Sequence, residues 1–212
     1  MAIKLLFLDL NGTVVDDWES SYAGVQAIFA HYNKPCPTIG EYIEQAAATG
    51  DYHSFYTNNC IRATRDELYA IYSPAYSEHA GEVVVMPHVG NVLRRLNCLG
   101  VEIHLLTAAR KDFAEPLMLA AGIEDCCAGF HYHVHNKSAQ IHAVIDGMVI
   151  SQNECAMVGD LPSDVVHAKQ AGIKSIAFLN RHVPQALFDD IHEIDCVTDS
   201  FLGLLEFIES CN

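Results

Sequence analysis

The 212-residue sequence predicts an α/β fold, a doubly wound parallel sheet with a run of helices inserted after its first strand. Three observations carry that expectation. Ile3-Lys-Leu-Leu-Phe-Leu8 is a short and almost wholly apolar run, as expected of a strand covered on both faces. From Pro87 onward, strand-like and helix-like patterns alternate, which is the signature of a parallel sheet with helices on both faces. Between these parts, the stretch 16–80 carries helical spacing and hardly any strand signal. The expected division is therefore an α/β core over 1–15 and 81–212, with a helical cap domain over 16–80.

The elements follow in order. Trp18, Tyr22, Val25, Ile28, Phe29 and Tyr32 fall at helical spacing, and Pro35 and Pro37 end that helix. Thr38 caps the next, over 39–48, and a loop is expected at Gly50-Asp-Tyr-His53. Thr64-Arg-Asp-Glu67 is a capping-box pattern that opens a further helix. In the alternating part, helices are expected over 89–99, 112–121, 138–145, 163–171, 184–191 and 201–208. Strands are expected over 101–106, 129–134, 156–158, 175–179 and 196–197. Gly100, Gly122 and Gly172 stop three of the helices. The resulting sheet is Rossmann-like.

Bulk properties exclude several function classes. Half the residues are apolar and 18% are charged, so disorder is not expected. The formal net charge of −15 argues against nucleic acid and anionic membranes as partners. No stretch approaches transmembrane length and no secretory signal is visible. The eight cysteines are scattered, with no Cys-x-x-Cys pair. Cys98, Cys155 and Cys196 lie in or beside apolar segments and read as buried thiols, which suggests a reduced, cytoplasmic protein.

Chemistry concentrates at strand ends. The first strand runs into Asp9-Leu10-Asn11-Gly12-Thr13. Thr107 ends the strand His104-Leu-Leu-Thr, and Lys137 opens a helix. Gly159-Asp160-Leu-Pro-Ser163-Asp164 follows the strand at 156–158. In a doubly wound sheet such ends converge on one edge, where ligands bind. Carboxylates brought together there repel, and a hard cation between them resolves the repulsion. Magnesium suits a site with few carboxylates. Each residue alone has a plainer reading, as turn, cap or surface lysine.

Together, in this order and over nearly the whole chain, these motifs resemble the haloacid dehalogenase-like (HAD) superfamily with a helical cap of C1 type. The resemblance implies a hydrolase, specifically an Mg2+-dependent phosphatase acting on a small phosphorylated metabolite. It implies Asp9 as the nucleophile that becomes an aspartyl-phosphate. Thr107 and Lys137 would stabilise charge on the transferring group. Backbone N–H groups around Leu10, Asn11 and Ala108 would cradle phosphate oxygens. Asp9, the main-chain carbonyl of Asn11 and Asp160 would be the metal ligands, and Asp164 would orient them and Lys137. The cap is expected to close over the site, and Asp16, Asp17, Trp18, Tyr22, His53, Arg62 and Arg65 are candidate lining residues.

One position departs from the family pattern. Asn11 stands where the family's second aspartate acts as general acid and base. An amide does not titrate near neutral pH, and losing such a group costs about 10²–10⁴ in rate. A substrate with an acidic leaving group, such as an acyl or aryl phosphate, needs little protonation, so phospho-Asp9 would form and then persist. Asn11 is open to three readings: a residue native to a weakly active or differently acting branch, a substitution that traps a complex, or a site whose proton comes from another group. The alternative functions are a catalytically lapsed phosphate-binding or regulatory protein, phosphonate cleavage and dehalogenation. Finally, a strand over 129–134 would align His131, His133 and His135 on one face, a pattern open to a transition metal or to a pH-sensitive or solvent-facing stripe.

Overall fold

The computed structural model describes residues 2–49 and 52–211. In chain order, β1 (Leu5–Leu8) and β2 (Val15–Asp16) are followed by four helices. These are α1 (Trp18–His31), α2 (Ile39–Thr49), α3 (Tyr52–Asn58) and α4 (Arg65–Glu78). Then come β3 (Val84–Val85), α5 (Val89–Cys98), β4 (Glu102–Leu106), α6 (Lys111–Ala121), β5 (Gly129–His131) and α7 (Lys137–Ile145). The chain continues through β6 (Cys155–Gly159), α8 (Pro162–Gln170), β7 (Lys174–Phe178), β8 (Cys196–Thr198) and α9 (Phe201–Ser210). It divides into two compact units, Met1–Asp16 with Val85–Asn212, and Asp17–Val84.

The first unit is an α/β sandwich around a six-stranded sheet in the order β5-β4-β1-β6-β7-β8. Each neighbouring pair is parallel. The order runs outward in one direction from β1 and then restarts on its other side at β6, so a topological switch point lies there. All four residues of β1 are fully buried, which explains their lack of polar alternation. Leu5 and Phe7 pack with Cys155 and Met157 of β6, Ile141 and Ile145 of α7, and Ala168 of α8. α5 packs against β4 and α9.

The second unit is helical, with α1 lying along α4. Its core is aromatic: the Phe55 ring lies 5.1 Å from Tyr42, 5.0 Å from Tyr56 and 5.8 Å from Phe29. A Cβ on Gly24 of α1 would collide with the Tyr72 ring of α4, so the helices approach closely only because that position is glycine. Thr64 and Glu67 form the expected capping box.

Several sequence expectations are corrected. The strand at 129–134 stops at His131, because His133 adopts φ +58°, a left-handed conformation incompatible with an extended run. The helix at 184–191 is only a 3₁₀ turn, Gln185–Phe188. Of the loop at 50–53, Gly50 and Asp51 lie outside the described residues, and Tyr52 and His53 already belong to α3. Cys98 is exposed and Cys196 half-buried, because Cys98 falls off the face on which α5 buries Val89, Val92, Leu93 and Leu96. Among the described residues all eight cysteines are free, and no helix is long and apolar enough to cross a membrane.

Candidate active site

The turn after β1 is built to project Asp9. The Asp9 N–H still bonds to the Val158 carbonyl (3.0 Å), which continues the sheet by one residue. The chain then folds back: the Leu10 carbonyl accepts from Val14 (2.8 Å) and Val15 (3.2 Å), and the Gly12 N–H donates to Val15 (2.7 Å). Gly12 has φ +77°, and a Cβ there would collide with the Asp160 carboxylate. Glycine thus satisfies two demands at once, a left-handed backbone and room for an acid.

Lys137 enters from the other side. Asn136 caps α7, its Oδ1 accepting the Ala139 N–H (3.1 Å), which sets Lys137 as the first helical residue. The Lys137 Nζ donates to Asp9 Oδ1 at 2.6 Å and to Asp164 Oδ1 at 2.7 Å. Asp164 is itself fixed by the Leu161 N–H on its Oδ2 (3.1 Å). A Cβ on Gly159 would collide with Asp164, so this second acid also relies on a glycine. The hydroxyl of Thr13 donates to Asp160 Oδ1 (3.3 Å). Thr107 directly follows β4; its Oγ1 accepts the Ala109 N–H (3.0 Å) and donates weakly to Asn11 Oδ1 (3.4 Å). Asp9, Thr107, Lys137, Asp160 and Asp164 are all buried.

The electrostatics follow from that burial. Desolvation pushes the Asp9 carboxyl up to about 7, against the pull of Lys137, and the negative charge of Asp164 adds to the rise. Burial alone would lower Lys137, but Asp164 and Asp9 together hold it above its ordinary value, so it stays a fixed cation. One ligand oxygen from each of Asp9, Asp160 and Asp164 lies within 4.8 Å of the others. Three buried carboxylates facing one lysine form an excess of negative charge with oxygen donors only, the donor set of a hard divalent cation such as Mg2+. The residues fit that group.

The structure therefore brings Asp9, Asn11, Thr107, Lys137, Asp160 and Asp164 together. Leu10 and Ala108 lie on the same two turns. It does not assemble the three histidines on one strand face. His131 instead bonds to His104 of β4 (3.0 Å) and Gln140 of α7 (3.1 Å), while His133 and His135 pack ring to ring at 4.7 Å. Of the seven candidate lining residues, Arg62 and Arg65 are exposed and the other five are engaged with partners. Asp16 pairs with Arg181 (2.7 Å) and Asp17 accepts from Tyr76 (3.0 Å). Trp18 packs on Tyr42, Tyr22 donates to the Pro37 carbonyl (2.6 Å), and His53 bonds to the Ala63 carbonyl (2.8 Å). Asn180, in the turn after β7, was not anticipated. No motif marks it, and only its position beyond a strand end next to β6 offered a signal.

Comparison with known proteins decides the family. The model of the haloacid dehalogenase-like hydrolases matches residues 6–178. The chain belongs to that family. A phosphoglycolate phosphatase of Pseudomonas syringae pv. tomato is 27% identical over 192 residues, covering 82% of this chain and 68% of that protein. One from Colwellia psychrerythraea is 23% identical over 214 residues, 90% of this chain and 95% of that protein. Among solved structures, a putative phosphoglycolate phosphatase of Lactobacillus plantarum superposes with a TM-score of 0.78 at 19% identity, over 98% of this chain and 100% of that one. A hydrolase from Pseudomonas syringae reaches 0.80 at 16% identity, covering 98% of each. These superpositions show the fold alone, a Rossmann-like α/β fold. The chain is an enzyme of the HAD hydrolase class.

Proposed function

We propose that this hydrolase is an Mg2+-dependent phosphatase that transfers the phosphoryl group of a small phosphorylated metabolite to Asp9 and then to water. The observation that carries the reading is the Asp9–Lys137–Asp164 chain of 2.6 and 2.7 Å contacts beside Asp160 and Thr107 at the switch point. The names of the relatives make 2-phosphoglycolate the first substrate to try. The eight free thiols suit a reduced, cytoplasmic setting.

Asp9 is the nucleophile in this reading. One of its carboxylate oxygens bonds to phosphorus as the bond from phosphorus to the leaving oxygen breaks. Lys137 occupies Asp9 Oδ1 and, with Thr107 Oγ1, faces the negative charge of the transferring group. The N–H groups of Leu10, Asn11 and Ala108 cradle phosphate oxygens, and Asp164 holds Lys137 in place. Asp9, the Asn11 carbonyl and Asp160 would hold Mg2+, which when bound neutralises charge on phosphate and nucleophile. Asn11 takes no part in proton transfer. Departure of a basic alcohol and attack by water are therefore the slow steps, and acyl or aryl phosphates are the favoured donors.

The test is Mg2+-dependent hydrolysis of an aryl phosphate and of 2-phosphoglycolate by this chain and by Asn11→Asp, with intact-mass analysis of the protein during turnover. The aspartate variant should be faster by about 10²–10⁴. The parent chain should carry a phosphoryl group that Asp9→Asn abolishes. Equal rates with no phosphoenzyme would reject this reading. Asn11 also supports a second reading, a lapsed phosphate-binding protein; Mg2+ and phosphate binding without turnover in either version would favour it.

A further inference from the structure

We infer that Asn180 is a positioning residue for the Mg2+ site, acting through Asp160 and the turn after β1; the inference rests on the metal-dependent reading above. Its side chain cross-links three separate segments of the α/β unit through a single amide. Nδ2 donates to Asp160 Oδ2 (2.9 Å) and to the Gly12 carbonyl (3.0 Å), while Oδ1 accepts the N–H groups of His182 (2.9 Å) and Val183 (3.0 Å). Those four bonds use both donors and both acceptor sites of the amide, so its orientation is determined.

Each half of the amide does a different job. The oxygen half stabilises its own turn beyond β7, a local structural role common for Asn. The nitrogen half reaches across β6 to Asp160 and across to the turn that follows Asp9. Asp160 is almost completely buried among other acids, so without a donor its carboxylate would turn away from them. Thr13 holds Oδ1 at 3.3 Å and Asn180 holds Oδ2 at 2.9 Å. The shorter of these bonds comes from Asn180, which also ties Gly12, the neighbour of the Asn11 carbonyl, to the same carboxylate. Two of the three proposed ligands are thus set by one amide. Next to it, Arg181 Nε bonds Asp16 Oδ2 (2.7 Å), so the turn is anchored again to the segment leaving the site. Partners that orient metal ligands in this way commonly carry 10–100-fold of metal affinity.

Asn180→Ser separates the two jobs. A serine hydroxyl can still accept from the turn N–H groups but is too short to reach Asp160 or Gly12. Mg2+ binding to the substrate-free protein, read by calorimetry, should weaken by about 10–100-fold in Asn180→Ser, while its metal-free Tm falls less than that of Asn180→Ala. In the assay, the Mg2+ concentration for half-maximal rate should rise while the rate at saturating Mg2+ recovers. Asn180→Ala should show the same loss of Mg2+ affinity together with a lower metal-free Tm. Parent-like Mg2+ affinity in Asn180→Ser would overturn the inference and leave Asn180 a turn residue only. Absence of Mg2+ binding by the parent chain would instead overturn the metal-dependent reading, and this inference with it.

Discussion

The two units differ in what they bury beside their aliphatic side chains. The α/β unit places three carboxylates and one lysine out of solvent at the edge of its sheet, while the helical unit fills its interior with Trp18, Phe29, Tyr42, Phe55 and Tyr56. Aromatic burial is favourable by itself, through area removed from water and ring packing. Ionic burial is not: desolvation of such groups commonly exceeds what their pairing returns, and burial raises the Asp9 carboxyl even against a 2.6 Å lysine contact. The difference teaches that the aromatic interior is stabilised by what it buries, whereas the charged cluster holds together only as far as its ion pairs and hydrogen bonds offset desolvation.

Perturbing each interior should expose that contrast. The largest effect is expected from Lys137→Met, which leaves Asp9 and Asp164 buried without their shared cation. It should cost about 3–5 kcal/mol of unfolding free energy and abolish turnover. Urea denaturation checks this, and an unchanged midpoint would break the comparison by showing that the cluster is not held against a penalty. A smaller effect is expected from Gly24→Ala in the helical unit, where the added methyl meets the Tyr72 ring. That overpacking should cost about 1–3 kcal/mol in thermal unfolding, and a neutral result would mean that α1 and α4 can separate freely. The smallest is Thr64→Ala, which removes the Oγ1 acceptor of the Glu67 N–H (3.3 Å) and should lower stability by about 1 kcal/mol.

Legibility differed along the chain for physical reasons. β1 was readable because a strand covered on both faces must be apolar at every position, and Leu5–Leu8 are. The capping box at Thr64 was readable because all its partners lie within four residues. The strand at 129–134 was overextended because side-chain alternation says nothing about a single left-handed residue such as His133. The buried thiol expected at Cys98 failed because an apolar neighbourhood in sequence does not say which face of α5 turns inward.

By itself, then, the sequence determined the α/β class and the position of Asp9 at a strand end, through the period of each element and the residue that stops it. Thr107, Lys137, Asp160 and Asp164 stood out only through their resemblance to the family's motifs, since each alone reads as a turn, cap or surface residue. Tertiary structure alone decided that Lys137 bridges Asp9 and Asp164, that Gly12 and Gly159 are spaces for carboxylates, and that Asn180 ties Asp160 to the first turn. Those contacts join residues up to 168 positions apart. They exist only because the parallel sheet brings the ends of β1, β4, β6 and β7 to one edge, and strand order is a property of packing that no local stretch of sequence encodes.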